Sequence, residues 1–214
     1  MERTRGEFLW LFIGNMASEK TGHLILEVTK LRERSRKKVV VFKPNVDTRS
    51  SRGFINSRRG ETLEAYDISP QNPREEVLRI LKQQEDGWGV KFDVVAFDEV
   101  QFFPKESGFF WLVKELLQKG YNIIAAGLAL DFRGEPVGST LWLAALAQDS
   151  CTWEHAYCTG CGKPAIFPQR FLHNGELAPY EDELIIPGSE DKRFRRYYEA
   201  RCEDCFVIPP KIQK

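Results

Sequence analysis

Continuous apolar segments that alternate with helical segments are the feature that most restricts the fold of this chain. Four of them are rich in β-branched or aromatic residues and predict buried strands, at residues 8–14, 38–42, 92–98 and 121–127. Apolar residues at helical spacing follow each one, at residues 21–34, 73–85, 106–119 and 141–147. Strands that are apolar throughout belong to parallel sheets covered on both faces. The sequence therefore predicts an α/β fold that binds ligands beyond the carboxyl ends of its strands.

The pattern changes near Cys151. Helical periodicity ends there, and cysteine, aromatic, glycine and proline residues punctuate short segments up to the last residues. A short segment of this kind buries too little apolar surface to fold without a crosslink or a metal. We therefore expect two domains, an α/β domain over residues 1–150 and a small irregular domain over residues 151–214.

Residues 14–21 (GNMASEKT) lie between the first predicted strand and the first predicted helix, where a phosphate-binding loop would occur. Such a loop needs a glycine-rich turn, a lysine for the β- and γ-phosphates and a serine or threonine for Mg²⁺. Gly14, Lys20 and Thr21 fill the first, seventh and eighth positions of that pattern. An ordinary strand-to-helix turn is the alternative interpretation of this segment.

Glu19 stands at the sixth position of the loop, where the pattern has glycine. Two placements of its carboxylate are open. Either it accepts the N–H groups of the loop and pairs with Lys20, standing in for a phosphate, or it points outward and is screened by water.

A second motif, residues 98–103 (DEVQFF), closes the third predicted strand. An acidic residue at this place, Asp98, is suited to hold the Mg²⁺ of a nucleotide through water. A second carboxylate beside it, Glu99, is suited to take a proton from a substrate hydroxyl. The alternative is a pair of acids that merely caps the strand end.

Two C-x-x-C pairs, Cys158 with Cys161 and Cys202 with Cys205, predict a tetrahedral zinc site. Four thiolates leave no open coordination position, so the metal would have a structural role. Two disulfides are the alternative. The odd number of five cysteines favours a reducing compartment, which disfavours disulfides.

Charge and hydropathy exclude some partners. Lys plus Arg equals Asp plus Glu at 31 each, so net charge gives no general attraction to nucleic acid or to anionic membranes. No apolar run reaches the roughly 18 residues of a membrane span. Residues 1–7 are charged and lack the apolar core of a secretion signal. We expect a cytoplasmic protein that binds neither nucleic acid nor membrane.

In combination, these motifs resemble the type II thymidine kinases, the zinc-containing tetrameric cellular and bacterial enzymes. Three more segments agree with that family: residues 43–49 (KPNVDTR), 131–136 (DFRGEP) and 198–202 (YEARC), the last closing the family's substrate lasso. The similarity spans residues 9–206. It implies a P-loop, RecA-like parallel sheet flanked by helices over residues 1–150, and a small zinc-stapled lasso domain over residues 151–214.

The resemblance implies that the chain transfers the γ-phosphate of ATP to the 5′-hydroxyl of thymidine as a homotetramer, with Mg²⁺ and a structural Zn²⁺. Glu99 would be the general base. The residues implied for ATP and its phosphates are Gly14, Asn15, Met16, Ala17, Ser18, Glu19, Lys20, Thr21, Arg49, Asp98 and Gln101. Those implied for the nucleoside are Met16, Phe102, Leu128, Phe132, Ile186, Pro187, Gly188 and Tyr198.

Departures from the family pattern keep other functions open. Besides Glu19, Pro168 stands where the family has threonine facing the base, and Val137 replaces a phenylalanine. One alternative is a kinase for another deoxynucleoside. Another is a catalytically weak or inactive nucleotide or nucleoside binder, against which the presence of Glu99 argues. A third is an ATPase acting on nucleic acid, against which the zero net charge argues.

Overall fold

The four apolar segments predicted as strands lie side by side in one parallel sheet. The computed structural model describes residues 8–47, 50–89, 91–183 and 197–211. In chain order the strands are β1 (Leu9–Gly14), β2 (Val39–Pro44), β3 (Phe54–Asn56), β4 (Thr62–Glu64), β5 (Tyr66–Ile68), β6 (Val94–Phe97), β7 (Asn122–Leu128), β8 (Cys151–Glu154), β9 (Ala156–Tyr157), β10 (Pro164–Ala165), β11 (Phe167–Phe171) and β12 (Tyr197–Arg201). The α-helices are α1 (Lys20–Glu33), α2 (Pro73–Trp88), α3 (Phe109–Gln118) and α4 (Thr140–Ala147).

Six strands form the central sheet in the order β5-β2-β6-β7-β1-β8, and every neighbouring pair is parallel. The four central strands are the predicted ones, and almost all of their residues are buried. The two edge strands were not predicted, and neither was the β3–β4 hairpin. All are short and partly exposed, so they lack the long apolar runs that mark the central strands.

Helices cover both faces of the sheet. On one face, apolar residues of α2, α3 and α4 pack against alternate residues of the strands, such as Leu11 and Ile13. On the other face, Phe12 and Ile124 pack against α1 and the β3–β4 hairpin. This alternation follows from the period of two along a strand. The prediction of a parallel sheet flanked by helices is therefore confirmed.

One predicted helix is interrupted. The segment predicted as a helix over residues 106–119 begins with a separate 3₁₀ turn (Lys105–Ser107), and α3 starts only at Phe109. Gly108 between them has a φ of 76°, which is outside the helical range. Within the described ranges, no helix combines the length and apolar character that crossing a bilayer requires.

The small C-terminal unit consists of two antiparallel strand pairs, β9 with β10 and β11 with β12. Strand β8 precedes them but belongs to the large sheet, where it pairs with β1. Since β8 begins at Cys151, we propose that the division between the two predicted domains falls after Glu154 rather than after residue 150.

Candidate active site and metal centre

The loop between β1 and α1 is folded around the Lys20 side chain. Nζ of this buried lysine donates hydrogen bonds to the backbone oxygen of Asn15 at 2.6 Å and to Ser18 Oγ at 3.4 Å. Gly14 begins the loop where space is short, because a Cβ there would lie 2.5 Å from Ser18 Oγ. The amino end of α1 and the Lys20 ammonium both place positive charge at this loop, as a phosphate site requires.

The Asn15 side chain connects the loop to the small unit. Its Oδ1 accepts the backbone N–H of Met16 at 2.6 Å, and its Nδ2 donates to the backbone oxygen of Phe167 at 2.8 Å. Phe167 begins β11. Asn15 is buried, so water does not compete strongly for these bonds. The β1–α1 loop and β11 are therefore held against each other directly.

Glu19 adopts a left-handed backbone conformation, with φ 64° and ψ 18°. Its carboxylate oxygen Oε2 lies 3.3 Å from Nε of Arg59, in the turn of the β3–β4 hairpin. Of the two placements left open by the sequence, the ion pair with Arg59 directs the carboxylate toward the hairpin and partly offsets its charge. The left-handed conformation also shows why the pattern has glycine here, since glycine adopts positive φ without a steric penalty.

Replacement of Glu19 tests whether this backbone strain is real. We expect Glu19→Gly to unfold with a free energy about 1 kcal/mol higher than Glu19→Ala, because alanine keeps the left-handed strain and glycine removes it. Both variants lose the ion pair with Arg59, so that contribution cancels in the comparison. Denaturant titration measures the difference. An alanine variant as stable as the glycine variant would contradict the strain.

Thr21 and Asp98 meet between α1 and the end of β6. The Thr21 hydroxyl oxygen lies 3.1 Å from each carboxylate oxygen of Asp98. Asp98 is buried, and its backbone N–H donates to the Phe42 oxygen at 2.9 Å. A hydroxyl beside a carboxylate at the end of a phosphate loop is the donor set that Mg²⁺ uses when it also binds nucleotide phosphates. The residues present therefore fit a magnesium ion.

Glu99 follows Asp98 and begins the 3₁₀ turn Val100–Phe102. It is buried and has a left-handed backbone, with φ 53° and ψ 43°. Its carboxylate oxygen Oε2 accepts a hydrogen bond from the side-chain amide of Gln101. Unfavourable backbone conformations of non-glycine residues concentrate at functional sites. Together with its place beside Asp98, this geometry marks Glu99 as a candidate catalytic carboxylate.

A cavity of about 780 Å³ joins these groups. Its walls include, among the predicted site residues, Met16, Ala17, Glu19, Lys20, Thr21, Asp98, Glu99, Gln101, Phe102, Leu128, Phe132 and Tyr198. Gly14, Asn15 and Ser18 belong to the loop between β1 and α1 but are not among the lining residues. Arg49, Ile186, Pro187 and Gly188 lie outside the described residues. The structure thus brings the two predicted groups, for phosphate and for nucleoside, to one cavity.

Two arginines that had no predicted role, Arg170 and Arg133, support the cavity wall. Arg170 on β11 is fully buried, and its guanidinium lies 4.2 Å from the ring centroid of Phe132 and 5.8 Å from that of Tyr198. It also pairs with Asp182 at 2.7 Å. The signal in the sequence was the period of two along a strand, which places Arg170 on the same face as Pro168, another lining residue.

The second arginine, Arg133, holds the segment that follows β11. Its Nε donates to the backbone oxygen of Tyr180 at 2.7 Å, and its Nη2 donates to that of Asp182 at 2.8 Å. Nη1 lies 3.3 Å from the carboxylate of Asp131. Burial raises the pKa of the Asp131 carboxyl above its usual value, against the opposing effect of Arg133 and two backbone N–H groups.

The four predicted cysteines converge in the small unit. The sulfur atoms of Cys158, Cys161, Cys202 and Cys205 all lie within 4.8 Å of one another. Tetrahedral zinc with sulfur at about 2.3 Å needs sulfur atoms somewhat under 4 Å apart, so a small contraction completes the site. Hydrogen bonds, the largest from the Cys202 backbone, lower the pKa of Cys158 to about 6, whereas hydrogen bonds with the other thiols, the largest with Cys161, raise the pKa of Cys205 to about 12. The donor set fits a closed structural zinc site.

Comparison with known proteins agrees with this geometry. The thymidine kinase family model matches residues 7–206. The chain is 37% identical over 204 residues to a thymidine kinase of Pyrobaculum aerophilum, covering 94% of this chain and 100% of that protein.

Similarities to solved structures are weaker. The ATPase DotB of Legionella pneumophila has a TM-score of 0.41 and 13% identity, covering 75% of this chain and 44% of DotB. Domain III of the Thermotoga maritima replication initiation protein DnaA has a TM-score of 0.31 and 14% identity. The match covers 57% of this chain and 44% of the DnaA chain. These scores are too low to carry an argument. The family match over most of the chain is decisive by itself, and the chain belongs to the thymidine kinase family.

Proposed function

We propose that the protein transfers the γ-phosphate of ATP to the 5′-hydroxyl of thymidine. The observation that carries this proposal is the single cavity that holds Lys20 and Thr21 of the phosphate loop, the Asp98–Glu99 pair and an aromatic wall. A kinase needs these three elements in contact with one another, because phosphoryl transfer depends on positioning and charge neutralisation. Family membership supports the same reaction.

On the phosphate side, Lys20 and the N–H groups at the start of α1 would bind the β- and γ-phosphates. Thr21 and Asp98 would hold Mg²⁺, which supplies positive charge to the phosphate oxygens. The predicted roles of Gly14, Asn15, Met16, Ala17 and Ser18 follow from the same loop, which these residues shape. Arg49 stays a predicted ligand of the transferred phosphoryl group.

At the point of transfer, Glu99 would act as the general base. The 5′-oxygen of the nucleoside forms a bond to the γ-phosphorus while the bond from that phosphorus to the bridging oxygen breaks, and ADP leaves. The hydroxyl proton passes to the Glu99 carboxylate. The support for this role is that Glu99 is buried and lines the same cavity as Lys20 and Tyr198.

On the nucleoside side, Phe132 and Tyr198 offer aromatic surfaces, and Met16, Phe102 and Leu128 offer apolar ones. The Arg170 guanidinium lies near both rings, 4.2 Å from the Phe132 centroid and 5.8 Å from the Tyr198 centroid, and would help to hold them in place. Ile186, Pro187 and Gly188 stay predicted contacts of the base. The homotetramer and the cytoplasmic location likewise stay predictions.

A transfer assay tests the proposal. Labelled ATP and Mg²⁺ are offered with each of the four deoxynucleosides, and labelled monophosphate is measured. We expect thymidine to give the highest kcat/KM, and unlabelled thymidine to suppress the products of the other three. A higher kcat/KM for another deoxynucleoside than for thymidine would show that the other deoxynucleoside is the preferred substrate. ATP binding without transfer to any of them would overturn the proposal in favour of a nucleotide binder.

A further inference from the structure

The Gln101 side chain joins the turn that carries Glu99 to the end of strand β7. Its Nε2 donates to Glu99 Oε2, and its Oε1 accepts the backbone N–H of Leu128 at 3.0 Å. The N–H of Leu128 can only donate, so it requires the oxygen of the Gln101 amide on its side. The amide nitrogen is thereby directed at the carboxylate, and the opposite orientation would break both hydrogen bonds.

The surroundings leave Gln101 little freedom to move. A Cβ on Gly127 would lie 3.2 Å from Gln101 Oε1 and 2.6 Å from a methyl group of Val100. A Cβ on Gly138 would overlap the backbone of Gln101 itself. Two glycines thus allow β7 to approach the side chain of Gln101 and the loop before α4 to approach its backbone, and Gln101 is 5% exposed.

Glu99 needs such support because its backbone is in the left-handed region. A non-glycine residue stays in this conformation only where neighbouring groups hold it. The backbone N–H of Phe102 donates to the backbone carbonyl oxygen of Glu99 at 3.0 Å and fixes the turn. Gln101 adds a contact to the carboxylate itself, and this contact is anchored on the central sheet through Leu128.

We propose that Gln101 is a positioning residue that fixes the orientation of the Glu99 carboxylate for proton transfer. The proposal rests on the proposed function, in which Glu99 is the general base. The resemblance to the type II thymidine kinases implied Gln101 as one of the residues for ATP and its phosphates. Its two hydrogen bonds, to the base and to the backbone of β7, favour a role that acts through Glu99 instead.

A double-mutant cycle tests the proposal on the full chain, with Gln101→Met, Glu99→Gln and the double variant. We expect Gln101→Met alone to lower kcat about 10–100-fold while the KM for ATP changes less than about threefold. In the Glu99→Gln background the same substitution changes kcat less than about twofold, because the group that Gln101 orients no longer accepts a proton.

Gln101→Glu is the second variant of the test. It keeps an acceptor for the Leu128 N–H but places a carboxylate beside Glu99 in place of a donor. We expect a kcat loss at least as large as that of Gln101→Met, with the fold retained in thermal melting. Near-native kcat in Gln101→Glu would show that anchoring on Leu128 is the whole role of Gln101, and would overturn the proposal.

Gln169→Met is the matched control, because Gln169 is also a buried glutamine with two hydrogen bonds, both to the backbone of Val207. We expect its effects to add to those of Glu99→Gln without coupling. If Gln101→Met lowers kcat by the same factor in the wild type and in Glu99→Gln, the positioning role is overturned. The proposed kinase function is still upheld in that case, provided that the wild type transfers phosphate. A wild type that transfers no phosphate would overturn both.

Discussion

Replacement of Glu99 by glutamine lowers kcat about 10²–10⁴-fold, the range typical for loss of a positioned general base. The substitution keeps the size and shape of the side chain but removes the oxygen that would accept the hydroxyl proton. ATP affinity is expected to change little, since Lys20, Thr21 and Asp98 form the phosphate side of the cavity. Steady-state kinetics and ATP titration together measure the two effects.

The choice of glutamine matters because Glu99 holds a left-handed backbone. Glutamine brings no new backbone preference, whereas glycine would relieve strain and alter the turn. Glu75→Gln, at an exposed position in the first turn of α2, serves as the matched control and should keep wild-type turnover. Near-native turnover in Glu99→Gln would rule out the general base. Loss of ATP binding would point to a metal-binding role.

The second large effect is expected when the proposed zinc ion is removed, because the small C-terminal unit should then unfold. We expect one zinc per chain, lost on strong chelation or in Cys202→Ser, together with unfolding of the small unit. Structural zinc sites bind their metal with apparent free energies of about 10–16 kcal/mol, and this energy stabilises the fold. Residues 156–171 and 197–205 form short strand pairs around the cysteines, with a cluster of just a few small apolar residues.

Loss of zinc should also weaken thymidine binding. Cys202 directly follows β12, which carries Tyr198 into the cavity, so disorder at the metal centre removes part of the nucleoside wall. Elemental analysis, limited proteolysis and thymidine titration measure the outcome.

Cys151→Ser is the control for this experiment, because the Cys151 sulfur contacts the Ala144 oxygen at 3.7 Å and is not one of the four clustered thiols. It should retain full zinc. A reduced, folded protein without metal would contradict the prediction.

The central architecture was predictable from sequence because burial on both faces leaves an uninterrupted apolar run in each central strand. It was also predictable that four of the candidate site residues would lie together, namely Lys20, Thr21, Asp98 and Glu99. The carboxyl ends of parallel strands meet at one edge of a sheet, so residues at those ends converge whatever lies between them. The convergence of the four cysteines was predictable because two C-x-x-C pairs are the ligand spacing of a tetrahedral metal site.

What the sequence could not provide depends on contacts between distant segments. Strand β8 (CTWE) mixes polar and apolar residues and is partly exposed. Its place in the sheet is decided by pairing with β1. Glu19 has a partner, Arg59, that lies in a hairpin of no distinctive pattern. Gln101 belongs to the motif at residues 98–103, but its partner Leu128 follows from how β7 packs beside β6. Local spacing carries none of this information.

The hydrogen bond from Asn15 to Phe167 bears on how the two substrates affect one another. Under the proposed function the loop would bind the triphosphate and β11 would border the nucleoside, so a shift of either segment would be transmitted to the other through this bond. Binding equilibria that share such a contact are reciprocal: whatever factor one substrate adds to the affinity of the other, it receives in return. The conformational entropy of the loop and of β11 would then be lost once, when the first substrate binds. The second substrate would bind to a site that is already ordered.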